Sequence, residues 1–242
     1  MNRSRFPDVP LRTNERMDAF LNGELRLIQS EDGYRFSIDA VLLSQFVNIK
    51  PGDVMVDLGT GCGVIPLILC LKTDVGRVVG LEIQEELLSQ AARNARLNSL
   101  ERRMDVVLGD INHLPLIDAF ADGVICNPPY RRKQSGRINP DLRRAIARHE
   151  ILTDMDDILD AAKRLLKKKG RFAFVYPAER LTDVFNRLRR FDLEPKRLQV
   201  AYPSLESSAK LILIEAVQGA RPGLHILPPV IGQGDFSIAD PL

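Results

Sequence analysis

The feature that most constrains the fold is a glycine-rich turn between two apolar segments. The turn reads DLGTGCG over residues 57–63 and lies between residues 54–56 and 64–71. A strand, a glycine turn and a helix in this order form the opening unit of a parallel α/β sheet. Glycines let the backbone approach a ligand closely, and the following helix N-terminus favours polar or anionic groups. The dinucleotide fingerprint needs its third glycine one residue later, where this chain has Val64, so a dinucleotide is disfavoured.

The alternation of strands and helices continues after the turn and predicts an α/β fold. We expect a seven-stranded, mostly parallel sheet that is covered by helices on both faces. The last two predicted strands follow each other without a helix between them, so the closing strand should be antiparallel. The predicted strands are residues 54–56, 78–81, 104–108, 123–126, 172–175, 197–202 and 209–215. The predicted helices are residues 64–71, 84–98, 154–168 and 178–191.

Three parts of the chain differ in character. Residues 1–50 are predicted to form an extension that packs on the core, in which strand 24–30 pairs with 34–36 and a helix spans 38–47. Residues 51–218 form the main domain. Residues 219–242 are dense in Gly and Pro, and this composition predicts an extended C-terminal tail.

Composition places the chain among ordinary globular proteins. It has 242 residues, of which 45% are hydrophobic and 27% charged, with a formal net charge of +2. These values exclude the disordered, collagenous and disulfide-rich classes. Three cysteines without paired spacing and three histidines argue against a disulfide framework and against a metal site. No export signal or membrane-spanning segment is visible, so a cytoplasmic location is expected.

Carboxylates follow three successive predicted strands. Asp57 opens the glycine turn, Glu82 ends the next strand, and Asp110 follows the strand after that. Asp57 would repel a pyrophosphate but suits an ammonium group, Glu82 can bind both hydroxyls of a ribose, and Asp110 can accept from an adenine amino group. Each acid alone can be a helix cap or a loop residue. Together, at strand ends, they indicate a ligand that joins adenosine to an amino acid.

These residues resemble the class I S-adenosylmethionine-dependent methyltransferases, and NPPY at residues 127–130 strengthens the resemblance. NPPY after the fourth strand marks enzymes that methylate a planar or exocyclic nitrogen. The lone pair of such a nitrogen is delocalised, so oxygen acceptors from Asn127 and Pro128 can bind its N–H groups and aim it at the methyl donor. Pro129 stiffens the turn, and the Tyr130 ring can stack on a base.

Over its whole length the chain looks like the bacterial tRNA(Val) adenine N6-methyltransferase family, which methylates N6 of the adenine just 3′ of the anticodon. The match includes YRFSIDAVLL at residues 34–43, ARHE at 147–150 and LEPKR at 193–197. By this resemblance residues 127–130 hold the base, and Phe36 and Asp39 shape the cofactor pocket, although a packing Phe and a helix-opening Asp are alternatives. The residues expected to bind S-adenosylmethionine are Asp57, Gly59, Gly61, Gly63, Glu82, Ile83, Asp110 and Ile111.

A basic stretch directly follows the tetrapeptide and predicts an RNA partner, for which tRNA is expected. Phosphates bound there would flank a flipped adenine, and we expect the loop to order with RNA. In this family an aromatic residue often follows NPPY, whereas this chain has Arg131, so the details of base stacking can differ. The residues expected to contact RNA are Arg131, Arg132, Lys133, Arg137, Arg143, Arg144 and Arg148.

Other functions stay open from the sequence. A glutamine N5-methyltransferase shares NPPY, but its usual N-terminal helical domain does not fit before the glycine turn. A guanine N2-methyltransferase more often has Phe at the position of Tyr130, and DNA adenine enzymes usually carry a separate recognition domain. A noncatalytic RNA-binding protein on this fold predicts a damaged cofactor turn, and this turn is intact. A monomer and a homodimer are both compatible with the sequence.

Overall fold

A central mixed sheet organises the protein in the computed structural model, which describes residues 6–31, 38–128 and 155–232. The strands are β1 (Glu15–Phe20), β2 (Leu25–Ser30), β3 (Val54–Leu58), β4 (Arg77–Glu82), β5 (Met104–Leu108), β6 (Ala121–Cys126), β7 (Leu166–Pro177), β8 (Leu193–Tyr202), β9 (Leu211–Gln218), β10 (His225–Ile226) and β11 (Val230–Ile231). The α-helices are α1 (Ile38–Phe46), α2 (Val64–Lys72), α3 (Glu85–Leu97), α4 (Met155–Leu165) and α5 (Leu181–Arg190). A 3₁₀ turn at Ala178–Arg180 precedes α5.

The strand order across the sheet is β5-β4-β3-β6-β7-β9-β8. Strands β3 to β7 pair in parallel, and β9 runs antiparallel to both β7 and β8. The predicted α/β fold with a mostly parallel sheet and an antiparallel closing strand is therefore confirmed. Because β3 lies between β4 and β6, the order reverses at β3, and the carboxyl ends of these strands form a crevice of the kind that binds ligands.

Helices cover the sheet on two faces because its central strands are apolar on both sides. One hydrophobic cluster joins the sheet to α1, α2 and the small side chains Ala91 and Ala95 of α3. The other joins the opposite face to α4 and α5, with the stacked rings of Phe172 and Phe174 at its centre. This arrangement leaves the strand ends as the open edge of the core.

The N-terminal hairpin uses a strand that the sequence prediction did not contain. Strand β2 pairs antiparallel with β1, which precedes it. The predicted pairing of this segment with residues 34–36 lies outside the described residues. The connecting turn has positive φ at Leu21, Asn22 and Gly23. Asn-Gly is a strong signal for such a turn, and its presence between residues 20 and 25 is the cue that the prediction overlooked.

The boundary between α4 and β7 also differs from the prediction. The helix was expected to reach residue 168, but α4 ends at Leu165 and β7 begins at Leu166. Leu166 pairs with Ala121 and Arg171 with Gly123, so the residues between form an irregularity in the strand. Lys169 has a φ of 65° within it. The three lysines 167–169 therefore lie in a bulged strand, where pairing with β6 overrides their helix propensity.

The segment after β9 returns to the sheet. Strands β10 and β11 both pair in parallel with β8, at its outer edge. Leu227 and Val230 are partly buried against the core. No helix in the described part of the chain is long and apolar enough to cross a membrane. The three cysteines are buried and free.

Candidate active site

The glycine turn is fixed to the carboxyl end of β3 by backbone hydrogen bonds to β4. The amides of Gly59 and Thr60 both donate to the Leu81 carbonyl, each over 2.9 Å. Gly59 and Gly61 have φ of 73° and 57°, and no atom lies within 4 Å of where a Cβ would stand on either residue. The described residues thus leave the space above these two glycines open, as a turn that receives a ligand requires.

Gly63 plays a different part, because it allows close packing. It precedes α2 with a φ of 87°, and a Cβ there would lie 2.6 Å from Met104 Cε and 3.2 Å from Ala91 Cβ. Its amide is already bonded to the Thr60 carbonyl over 2.9 Å. The structure therefore places Gly63 at the contact of α2 with α3 and β5, and its predicted role in cofactor binding stays a prediction.

Asp57 is a buried carboxylate at the end of β3. Its exposed fraction is 1%, and neither carboxylate oxygen has a hydrogen-bond partner among the described residues. Burial raises the pKa of Asp57 to about 7, because the charged form loses its hydration. The nearby Thr60 hydroxyl acts in the opposite direction without completing a hydrogen bond, and the Glu82 carboxylate adds to the rise. Such a group fits a cationic ligand that would supply the missing partner.

Glu82 connects the end of β4 to the glycine turn. It is 5% exposed, and its Oε2 accepts the Gly61 amide over 2.9 Å. Its Oε1 accepts the Gln84 amide, also over 2.9 Å. Each oxygen of a carboxylate has a second lone pair, so Glu82 can still accept hydrogen bonds from ligand hydroxyls. The same residue thus shapes the turn and faces the ligand crevice.

Asp110 lies after β5, on the next strand end along the sheet. Its Oδ1 accepts the Asn112 amide over 2.8 Å, and its Oδ2 lies 3.6 Å from His113 Nδ1. Ile83 is an apolar residue with 40% of its surface exposed, directly after Glu82. Ile111 is partly buried against the hydrophobic cluster under α4 and α5. The neighbouring strand order brings all these residues to one side of the crevice.

Asn127 and Pro128 follow β6, on the other side of β3. Asn127 is half-buried and Pro128 is buried. Cys126 pairs with Leu58 in the sheet, and its Sγ donates to the Leu58 carbonyl over 3.4 Å. Because Asn127 is the next residue after Cys126, it lies beside the start of the glycine turn. The structure therefore places the first half of NPPY and the turn at the same edge of the sheet.

Of the remaining predicted site residues, the structure describes only Asp39. Asp39 is half-buried in the first turn of α1. Phe36, Pro129 and Tyr130 lie outside the described residues, as do the seven basic residues that were expected to contact RNA. Among the described residues, no cluster of three or more His, Cys, Asp or Glu could hold a metal ion.

Three residues that the sequence analysis did not single out help to build this site. Thr60 is buried in the turn, with its hydroxyl unpaired among the described residues. Gly80 in β4 makes room for it, since a Cβ at Gly80 would lie 2.8 Å from two Thr60 side-chain atoms. Asn94 in α3 donates to the Cys62 carbonyl over 2.9 Å. The strand position of Gly80 was a possible signal, because glycine in a strand interior often marks a close approach.

The strand order, the glycine turn and the carboxylates at successive strand ends define a class I methyltransferase. A family model described as a methyltransferase domain matches residues 49–214, and the chain belongs to this family. It is an S-adenosylmethionine-dependent methyltransferase, with S-adenosylmethionine as its cofactor.

Comparisons with curated proteins find relatives that share one named activity. The chain is 29% identical over 206 residues to the tRNA1(Val) (adenine(37)-N6)-methyltransferase of Porphyromonas gingivalis, which covers 82% of this chain and 80% of the relative. It is 32% identical over 152 residues to the protein of the same name from Bacteroides thetaiotaomicron, over 62% of this chain and 61% of the relative. The predicted resemblance to this family is confirmed.

Solved structures share the fold. A predicted O-methyltransferase, protein Atu636 from Agrobacterium tumefaciens, superimposes with a TM-score of 0.66 at 19% identity, over 83% of this chain and 90% of that one. TYW2 from P. horikoshii, in complex with MeSAdo, gives a TM-score of 0.61 at 15% identity, over 86% and 73%. At these identities the likeness concerns the fold.

Proposed function

We propose that this protein methylates the exocyclic N6 of an adenine in RNA, and that its substrate is tRNA(Val) at the adenine next to the anticodon. The observation that carries the proposal is the position of Asn127 and Pro128, directly beyond β6 and beside the glycine turn and Asp57. The names of the sequence relatives support the same substrate. The basic residues between 131 and 148 supply the charge that an RNA backbone requires.

The residues at the strand ends fit S-adenosylmethionine. In this proposal the unpartnered Asp57 carboxylate pairs with the ammonium group of the amino-acid part, and Glu82 binds the ribose hydroxyls. The ligand packs directly against the backbone of Gly59 and Gly61, where no side chain stands in the way. Asp110 accepts from the adenine amino group, between the apolar side chains of Ile83 and Ile111. When bound, S-adenosylmethionine supplies an electrophilic sulfonium methyl group.

The protein's contribution to the reaction is then the orientation of a weak nucleophile. The lone pair of adenine N6 is delocalised into the ring, so the nitrogen attacks only when it is held near tetrahedral geometry. The Asn127 side-chain oxygen and the Pro128 carbonyl accept its two N–H groups, and Tyr130 stacks on the base. The proton that N6 loses leaves to water, so a strong base is not required.

RNA binding is assigned to the basic stretch after the tetrapeptide. Arg131, Arg132 and Lys133 bind phosphates on either side of the flipped adenine, and the arginines further along extend this contact. Reversing the charges of Arg131 and Arg132 should weaken tRNA binding while sparing cofactor binding. Equal loss of both affinities would contradict this assignment.

The reaction is tested by incubating the protein with tritiated S-adenosylmethionine and tRNA that lacks its N6-methyladenosine, and identifying the labelled nucleoside. We expect label in N6-methyladenosine, and a loss of about 100-fold or more with Asn127→Ala. That variant should still bind S-adenosylmethionine. Asn48→Ala, an exposed change two residues beyond the end of α1, is the control and should keep full activity.

A parallel incubation with release factor separates the alternatives. Label in protein alone would favour glutamine N5 methylation, and label in N2-methylguanosine would favour guanine methylation. Cofactor binding without label in any acceptor would favour a noncatalytic RNA-binding protein. A tRNA(Val) transcript compared with other tRNAs, each with an adenine 3′ of the anticodon, tests the identity of the substrate.

A further inference from the structure

Three amide side chains on one face of α3 bind β2 along the edge that faces away from β1. Gln90, Asn94 and Asn98 follow each other at intervals of four residues, so they lie in one row along the helix. Gln90 bonds to Ser30, Asn94 to Ile28 and Asn98 to Arg26. The helix thereby binds every second residue of β2, on the edge that faces away from β1.

The contacts of Asn94 and Asn98 with the strand are matched. Asn94 Oδ1 accepts the Ile28 amide over 2.7 Å, and its Nδ2 donates to the Ile28 carbonyl over 3.1 Å. Asn98 Oδ1 accepts the Arg26 amide over 2.9 Å, and its Nδ2 donates to the Arg26 carbonyl over 2.7 Å. In both cases one side-chain amide satisfies both backbone groups of one strand residue, as a paired strand would.

Asn98 Nδ2 also donates to the Asn94 carbonyl over 2.8 Å, within α3. The further bond of Asn94 instead reaches the cofactor turn. Its Nδ2 also donates to the Cys62 carbonyl over 2.9 Å, and the residue is fully buried. Cys62 lies between Gly61, whose amide is held by Glu82, and Gly63, whose amide is held by the Thr60 carbonyl. Cys62 thus lies between two residues whose amides already have hydrogen-bond partners. The bond from Asn94 directs the Cys62 carbonyl into the protein.

We infer that Asn94 is a positioning residue that couples the β1–β2 hairpin to cofactor affinity through the Cys62 carbonyl. When the hairpin holds the Asn94 side chain, the peptide between Cys62 and Gly63 is fixed in the orientation that leaves the turn open above Gly59 and Gly61. A turn that is fixed before binding loses less conformational entropy when the ligand arrives, and it binds more tightly. The inference rests on the assignment of the glycine turn to the cofactor, and it does not depend on the RNA substrate.

The coupling is tested first by substitution, with S-adenosylmethionine affinity measured by calorimetry in the absence of RNA. Asn94→Ala should raise the Kd about tenfold. Asn98→Ala, which loses the matched strand contacts but none to the turn, should change the Kd less than twofold. Unfolding by urea is followed for both variants, and binding is measured where each is folded. A purely structural role would lower the stability of Asn94→Ala and leave its Kd unchanged, which would overturn the inference.

A second variant keeps the bond to the strand amide and removes the two bonds that the Asn94 NH₂ group donates. Asn94→Asp retains an oxygen to accept the Ile28 amide but places a second oxygen against the Cys62 and Ile28 carbonyls. We expect its Kd to rise at least as much as that of Asn94→Ala. An affinity equal to that of the unaltered protein would contradict the proposed role of the Cys62 contact.

A third measurement uses the unaltered protein and so does not depend on any variant's folding. Coupling between two sites is reciprocal, so cofactor binding should strengthen the hairpin contact. We expect S-adenosylmethionine to slow hydrogen exchange of the Ile28 amide severalfold, and to slow that of the Arg26 amide less. Exchange rates that do not change at Ile28, or that change equally at both, would overturn the inference. Because no RNA is present, failure here is distinct from failure to methylate tRNA.

Discussion

At the scale of single residues, Asp57 combines a cost to folding with a use in binding. An ionised carboxylate that is 1% exposed and unpartnered among the described residues is expensive to bury, and this cost appears as a pKa of about 7 against an ordinary 3.8. A raised pKa means that the folded protein holds the proton more tightly than the unfolded chain does. The stability that this residue contributes is therefore fully present below pH 3.8 and is lost as the pH rises through 7.

The substitution Asp57→Asn should stabilise the protein at high pH while removing cofactor binding. The neutral amide has a similar shape and no charge to bury, so the free energy of unfolding at pH 8 should rise by up to about 4 kcal/mol. At pH 4 the gain should be small, because the folded carboxyl is then protonated and the unfolded one is only about half ionised. Urea unfolding of both proteins at the two pH values tests this. Equal gains at pH 4 and pH 8 would show that the charge is not the cause.

Cofactor affinity should also depend on pH through the same carboxylate. Below about pH 7 Asp57 becomes protonated and no longer attracts an ammonium group, so the Kd for S-adenosylmethionine should rise by up to tenfold per pH unit. Calorimetry between pH 5.5 and 7.5 measures this directly. Asp57→Asn should bind weakly with little dependence on pH over that range, and a steep dependence in this variant would assign the effect to another group.

At the scale of secondary-structure elements, strands that are contiguous apolar runs could be predicted from the sequence. Element ends that depend on pairing with residues far away in the chain could not. Strands β3, β4 and β6 are largely buried on both faces, so each reads as a short, mainly apolar run between turn residues. The end of α4 was misplaced because Lys167 and its neighbours suit a helix equally well. Only the pairing of Leu166 with Ala121 assigns this segment to β7. Strand β1 was not predicted, because the Asn22-Gly23 turn between it and β2 was overlooked.

The same distinction applies to the candidate site. The positions of Asp57 and Glu82 follow from the strand ends, because the carboxyl ends of parallel strands meet at one edge. The packing role of Gly63 and the contacts of Asn94 depend on α3, β2 and β5 meeting in space. No local pattern in the sequence specifies such contacts, since they join residues that are far apart along the chain.

Replacement of Gly63 should reveal its packing role between elements. Gly63→Ala combines a positive φ with a Cβ that would press on Met104 and Ala91, so we expect a loss of about 2–5 kcal/mol in the free energy of unfolding. Gly52→Ala is the matched control, because Gly52 has a φ of +83° but no atom within 4 Å of the added Cβ. It should cost only about 1–2 kcal/mol. Similar losses in urea unfolding for the two variants would mean that the neighbours of Gly63 yield easily.

At the scale of the whole molecule, the two edges of the sheet serve different needs. The strand ends of β3, β4 and β5, to which we assign the cofactor, form a crevice near one edge, and β8 lies at the other. An uncovered edge strand invites pairing with another chain, and proteins commonly cover such edges. Here β10 and β11 pair with β8, the Leu227 amide donates to the Leu198 carbonyl over 2.8 Å, and the Gly232 amide donates to the Tyr202 carbonyl over 2.8 Å. Residues 225–232 therefore cover the β8 edge, on the side of the sheet opposite to β5.

Deleting residues 220–242 should accordingly affect stability and association more than cofactor binding. The deletion exposes the backbone groups of β8 and removes the partly buried side chains of Leu227 and Val230. We expect the free energy of unfolding to fall by about 2–4 kcal/mol. The apparent mass should rise with concentration more steeply than that of the full chain.

Deletion of residues 233–242 alone keeps β10 and β11 and is the control for chain length. Urea unfolding and light scattering measure the two effects, while calorimetry should give a cofactor Kd within twofold of the full chain. A large loss of cofactor affinity on removing the tail, with no change in association, would mean that the tail acts on the crevice rather than on the sheet edge.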